Sequence, residues 1–230
     1  MIELSQITKV YNAGRGNEFK ALHGIDLRIA TNSVTALTGP SGSGKTTLLS
    51  IIGCMARPTA GRILVDGQET TSLPETFMAR VRRSTFGFVS QDHNLIKGIS
   101  VLENTMLPAY PLGEPFKPLK ARALGILDRL QIAHKADRHS DELSGGERQR
   151  ASIARALINE PAVIIADEPT AHLDTELTAA FLEIVSDLAG QGKTLLIASH
   201  DPLVYTAGMI DRVLEMRDGK MVGESVEGRR

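Results

Sequence analysis

VTALTGPSGSGKTTLLSIIG, residues 34–53, is the stretch on which the fold turns. Its first five residues form a short, mostly apolar run that reads as a buried strand, and TTLLSIIG reads as a helix. Between them Gly39, Pro40, Ser41, Gly42, Ser43, Gly44, Lys45 and Thr46 match G-x-x-x-x-G-K-[ST], in the strand–loop–helix context that motif requires. The glycines let successive backbone N–H groups curl around phosphate oxygens, and Lys45 adds a point charge at the β and γ positions. Thr46 offers a hydroxyl to Mg²⁺.

Two more apolar runs, PAVIIADE (161–168) and KTLLIASH (193–200), suit strands covered on both faces, as a parallel sheet requires. Such strands deliver their C-terminal residues to one crevice. Asp167 is placed there to hold Mg²⁺ through its water shell. Glu168 follows at the rim, where a carboxylate can polarise a water attacking the γ-phosphate. His200 and Gln91 end their strands at the same edge. His200 gains weight from that position, and Gln91 can ligate Mg²⁺ or position water. Tyr11, at the end of the first strand, has two readings. It is a ring that stacks on a purine, worth about 1–3 kcal/mol, or an amphipathic side chain covering a core edge.

IELSQIT (2–8) and GIDLRI (24–29) alternate apolar and polar residues, so the first thirty residues read as an antiparallel element. The Asp-Gly pairs in VDGQ and RDGK predict hairpins. Leu177, Phe181, Ile184, Val185 and Leu188 mark one face of a helix ending near Gly190 and Gly192. Residues 92–158 hold no convincing strand; Leu119, Ala123, Ile126, Leu127 and Leu130 keep helical spacing, after a stretch broken by Pro108, Pro111, Pro115 and Pro118. The expected fold is α/β: a P-loop NTPase (RecA-like) core over 1–91 and 159–225 with an N-terminal antiparallel β element, and an inserted helical subdomain over about 92–158. A short tail follows over 226–230, all in one domain of 230 residues.

A second glycine-rich helix start lies in LSGGERQRASIARAL, residues 143–157. Ser144 with Glu147 forms a capping box, and many helices begin so with no ligand at all. Glycine costs about 1 kcal/mol against alanine in a helix, so Gly145 and Gly146 make a poor first turn unless something approaches the backbone closely. Such a start is a second anion site, which one nucleotide would not need.

The bulk properties narrow the class. Acidic and basic residues nearly cancel, 27 against 26, so no net field draws the chain to nucleic acid or anionic lipid. The single cysteine, Cys54, sits in SIIGCMA and reads as a small core residue, which suits a reducing compartment. No apolar run approaches the roughly 20 residues that span a bilayer, and MIELSQITKV lacks the form of a signal peptide. The expected location is cytoplasmic, with any spanning done by another chain.

The phosphate loop (39–46), Gln91, LSGGE (143–147), IIADEPT (164–170), AHLD (171–174) and His200 together resemble the nucleotide-binding subunit of ABC transporters. LSGGE is the most specific of these, since other P-loop families, kinases included, lack it. IIGCMARPTAGRILVDGQ, RRSTFGFVSQDHNL and LENTMLPAY look most like the LolD, MacB and FtsE branch of lipoprotein-release, macrolide-export and cell-division ATPases. The resemblance implies an ATPase with Mg²⁺ as cofactor and ATP held by Tyr11, residues 39–46 and Thr47. It implies catalysis by Glu168, His200 and Gln91, and metal contacts by Thr46, Gln91 and Asp167. It also implies that two copies pack head to tail, with Leu143, Ser144, Gly145, Gly146 and Glu147 of one contacting the ATP of the other. The loop of Ala171, His172, Leu173 and Asp174 would meet the opposite subunit; His172 stands where this branch usually has a small residue or asparagine. A membrane permease would dock at a surface including Leu95, Ile96, Val101, Arg80, Arg82 and Arg83, placing the chain peripherally on the inner face of the cytoplasmic membrane. The alternative, a soluble ABC ATPase acting on nucleic acid or ribosomes, carries long coiled-coil insertions or two cassettes; here about fifty residues without sustained heptads separate Gln91 from Leu143.

Overall fold

The computed structural model describes residues 1–171 and 173–226; His172 and residues 227–230 lie outside the described residues. Strand β1 (Ile2–Tyr11) runs antiparallel to β2 (Phe19–Ile29), and β3 (Val34–Thr38) leads into the phosphate loop and helix α1 (Lys45–Ile52). Strands β4 (Ala60–Val65) and β5 (Gln68–Glu69) form the first Asp-Gly hairpin, with Asp66 and Gly67 both at positive φ, as a type I′ turn demands. Helix α2 (Glu75–Thr85) passes directly into β6 (Phe86–Ser90).

Three helices follow: α3 (Val101–Met106), α4 (Phe116–Arg129) and α5 (Gly145–Leu157), with a 3₁₀ segment Leu107–Leu112 after α3. The chain then alternates through β7 (Val163–Asp167), α6 (Thr175–Gly190), β8 (Thr194–Ala198), α7 (Pro202–Tyr205) and the hairpin β9 (Arg212–Arg217) and β10 (Lys220–Val226).

Two sheets result. The first is antiparallel in the order β2-β1-β4-β5; the second runs β10-β9-β3-β8-β7-β6, parallel from β9 to β6. The apolar runs read as doubly covered strands are so. In β7, Val163 and Ile165 point to the side of the antiparallel sheet and α1, while Ile164 and Ala166 join the core shared with α3, α4, α5 and α6. In β8, Leu196 and Ala198 take the first side, Leu195 and Ile197 the second. Each fully buried large aliphatic side chain contributes about 1.5–3 kcal/mol. The sheet is thereby fixed between two cores, and the crevice at its C-terminal edge is built on rigid strands.

Two local readings need correction. Pro115 stands just before the helix as the N-cap of α4, but Pro118 does not precede it and lies in its first turn. The first-turn N–H groups have no helical acceptor, so proline removes nothing there. The alternation of β1 also breaks, because Gln6 sits at φ 51 and the register shifts between Leu4 and Ile7, leaving Ile2, Leu4 and Ile7 all buried. The bulge is pinned by Asp26, which accepts from the Gln6 backbone N–H at 2.8 Å and from its side-chain amide.

Among the described residues no strand lies between 92 and 158, in keeping with the helical reading. Helix α5 packs on β6, and a Cβ at Gly87 would stand 2.5 Å from the Ala156 carbonyl oxygen, so only glycine permits this approach. Among the described residues, no helix is long and apolar enough to cross a membrane.

Candidate nucleotide site

The phosphate loop leaves β3 and enters α1 through Gly44, which is left-handed at φ 102. No side chain caps α1 and no acidic residue stands in its first turn, so its N-terminal N–H groups and dipole face outward for an anion. The Lys45 ammonium is buried and donates to the Gly39 carbonyl at 2.8 Å and the Pro40 carbonyl at 3.2 Å; it lies 3.7 Å from a Glu168 carboxylate oxygen.

A cleft of about 570 Å³ gathers Pro40, Ser41, Gly42, Ser43, Gly44, Lys45, Thr46 and Thr47 with Gln91, Glu168 and His200. Three separate strand ends thus reach one place, as the sequence predicts. Gly39 is not on its wall; a Cβ there would stand 2.1 Å from the Met216 carbonyl oxygen, so this glycine lets the loop pass β9. Asp167 lines the adjoining groove, which shares Thr46 and Gln91 with the cleft. His200 Nδ1 lies 2.8 Å from Glu168 Oε2, tying β8 to the carboxylate. The Glu168 backbone is left-handed at φ 47, a conformation seldom kept by a non-glycine residue unless its surroundings enforce it.

The donor set around Asp167 fits a hard cation. Burial pushes its carboxyl above the usual range, opposed by a hydrogen bond with the Thr46 side chain. Its Oδ1 is buried without a hydrogen-bond partner. One carboxylate, one hydroxyl and the amide of Gln91 suit Mg²⁺, which keeps several waters and takes phosphate oxygens. Among the described residues no cluster of three or more His, Cys, Asp or Glu side chains forms a competing metal cage.

Tyr11 is exposed and its ring carries the Lys9 ammonium at 5.0 Å, but it is not on the cleft wall. Phe19 is. It pairs in register with Tyr11 across β1 and β2, is 57% exposed, and lines the cleft beside Ala21. Sequence reasoning missed it; an apolar residue opening a strand next to a polar loop was the available signal.

The signature stretch lies elsewhere. Ser144 caps α5 with the full capping box, accepting from Glu147 N–H while its own N–H donates to the Glu147 carboxylate. That N–H, joined by Lys135 at 3.1 Å, holds the Glu147 carboxyl below its ordinary pKa. Ser144 is exposed, Leu143 is buried, and none of residues 143–147 lines the cleft. The two glycines separate. A Cβ on Gly146 would meet Leu177 of α6 at 2.6 Å, so packing within the chain explains it, whereas Gly145 faces open space. Of the loop after β7, Ala171 N–H donates to the Glu168 carbonyl, Leu173 N–H to the Thr170 carbonyl, and Asp174 caps α6; His172 lies outside the described residues.

A P-loop fold with these strand-end residues defines a nucleotide-binding ATPase. The family described as ABC transporter matches residues 22–171. The chain belongs to that family and is an ABC ATPase cassette. It is 39% identical over 225 residues to a macrolide export ATP-binding/permease protein MacB of Hyphomonas neptunium, covering 98% of this chain and 34% of that protein. It thus spans about a third of the length of that relative. It is 38% identical to an ABC transporter ATP-binding protein of Thermotoga maritima, covering 97% of this chain and 94% of that one. The dimeric structure of the ABC transporter cassette MJ0796 superposes with a TM-score of 0.90 at 34% identity, covering 100% and 99% of the two chains. The same cassette is also known as a dimer in a post-hydrolysis state bound to ADP and Pi.

Proposed function

We propose that the chain binds and hydrolyses MgATP as a head-to-tail homodimer and passes the closing motion to a membrane permease. The observation that carries this reading is the separation of the two anion sites. The cleft holds the phosphate loop and the strand-end residues, while the exposed start of α5 shares none of its wall. Each chain then supplies two half-sites, and a nucleotide between two copies completes both.

Within the cleft, the backbone N–H groups of residues 41–46 and the Lys45 ammonium take the phosphates. Thr46, Asp167 and Gln91 would hold Mg²⁺, which when bound neutralises charge on the β- and γ-phosphates. Glu168 accepts the proton of the attacking water, and His200, hydrogen-bonded to its far oxygen, fixes the carboxylate and reaches toward the γ position. Exposed Ser144 and half-buried Gly145 present the N-terminal dipole of α5 to the γ-phosphate held by the other copy. The Asp92–Ile158 lobe and the two stretches of core are read as parts of one domain.

Phe19 is the base platform that the cleft geometry favours, with Tyr11 beside it. Phe19→Ala is expected to weaken ATP and GTP alike by about threefold to tenfold, since stacking reads a π-face, and to leave inorganic tripolyphosphate binding unchanged. Tyr11→Ala is expected to have the smaller effect. Calorimetric titration decides it: a larger loss from Tyr11→Ala would return the platform to Tyr11.

The permease surface is revised. Val101 is fully buried, whereas Arg82 stays on a groove between α2, β6 and α5 while one of its N–H groups donates to the Cys54 carbonyl at 2.6 Å. That groove is also lined by Ala79, Arg83, Phe88, Pro108, Arg155 and Asn159 among others. Through it the cassette sits peripherally on the inner face of the cytoplasmic membrane. The similarity to ATP-binding/permease proteins supports this partner. With the permease present, Arg83→Glu should abolish most of its stimulation of ATP turnover and spare the basal rate within about twofold. Equal loss of both rates would remove the groove from coupling.

A further inference from the structure

The geometry points to Gln149 as a positioning residue for the catalytic turn, holding from the signature helix the backbone that carries Glu168. The inference rests on the reading of Glu168 as general base. Glu168 occupies a left-handed backbone conformation, so its carboxylate stays in the cleft only while the turn around it is held. Two of the ties are local to the sheet and turn: the Glu168 N–H donates to the Ala198 carbonyl at 2.9 Å, and the Ala171 N–H to the Glu168 carbonyl at 3.2 Å. The third comes from another element. The Gln149 side chain is buried on α5 and donates its amide N–H to the carbonyl of Pro169, the residue immediately after Glu168, at 2.8 Å.

The placement of Gln149 gives this bond its consequence. It lies five residues beyond Ser144 on a single helix, so the element that presents the exposed cap also holds the turn of its own chain's base. The same helix grips the segment after Gln91: Ser152 donates to the His93 carbonyl, and Arg155 donates to the carbonyls of His93 and Asn94. A displacement of α5 on meeting the second copy's nucleotide is therefore transmitted to Glu168 through Gln149 within one chain. The bland alternative is that Gln149 only satisfies a buried carbonyl.

Gln149→Leu separates the two, because it keeps the volume and removes the donor. The full chain is assayed for kcat and KM, and the same change is placed in a Glu168→Gln background to score the ATP-dependent dimer by gel filtration. Positioning predicts a fall in kcat of about 10- to 100-fold with KM changed less than about threefold. It predicts that the double variant forms the dimer at the same ATP concentration as Glu168→Gln alone, since no base remains to misplace. A kcat within about twofold of the parent overturns the inference, and so does loss of the dimer in the double variant, which would make Gln149 a structural support of α5. Normal turnover by Glu168→Gln alone would instead overturn the reading of Glu168 itself.

Discussion

Glu168→Gln is expected to lower steady-state ATP hydrolysis by about 10²–10⁴-fold, the range of a lost general base, while ATP affinity stays within a few-fold. The amide keeps the shape and can still meet His200, but it cannot take a proton from water. On the proposed reading Glu168 does not bear on affinity as Lys45 does, because the phosphates would be held by the loop of residues 40–46 and the N-terminus of α1. The slowed variant should also stay closed in MgATP and elute as a dimer, since in the proposed cycle hydrolysis would release the two copies. Phosphate release and gel filtration on one preparation check both halves. Hydrolysis near the parent rate would take Glu168 out of the chemistry and leave the base to another group.

The phosphate loop was legible because its constraints are local: strand, glycines, lysine and helix are consecutive, and each needs only its neighbours. The doubly covered strands were legible because parallel pairing demands continuous apolar runs, and β7 and β8 divide those runs between two cores. What escaped depended on partners distant in the chain. Gly146 looked like an opening for a ligand, yet Leu177 of α6 already fills the space above it. Val101 looked available for docking but closes the core around α3. Phe19 escaped notice because only the β1–β2 register puts it opposite Tyr11 and on the cleft wall. The bond from Gln149 to Pro169 spans 20 residues and has no sequence signal. The role of α5 as the common support of two segments of the site is therefore a product of the fold alone.

In the proposed dimer one nucleotide is held by the phosphate loop of one copy and the α5 start of the other. Mixed, differently tagged dimers test it most directly. One subunit carries Lys45→Ala, which damages its phosphate loop and leaves its signature whole. The other carries Ser144→Arg, which blocks the exposed cap and leaves its phosphate loop whole. If sites are shared across the interface, the mixed dimer has one site with both defects and one with neither. If each site is confined to its own chain, both sites are damaged. Retained nucleotide is the quantity to measure, because turnover in a dimer can require both sites at once. The shared arrangement predicts about one occluded MgATP per mixed dimer and little in either homodimer, since binding stabilises only the assembly with an intact composite site. Mixed dimers that retain no more nucleotide than the two homodimers would contradict it.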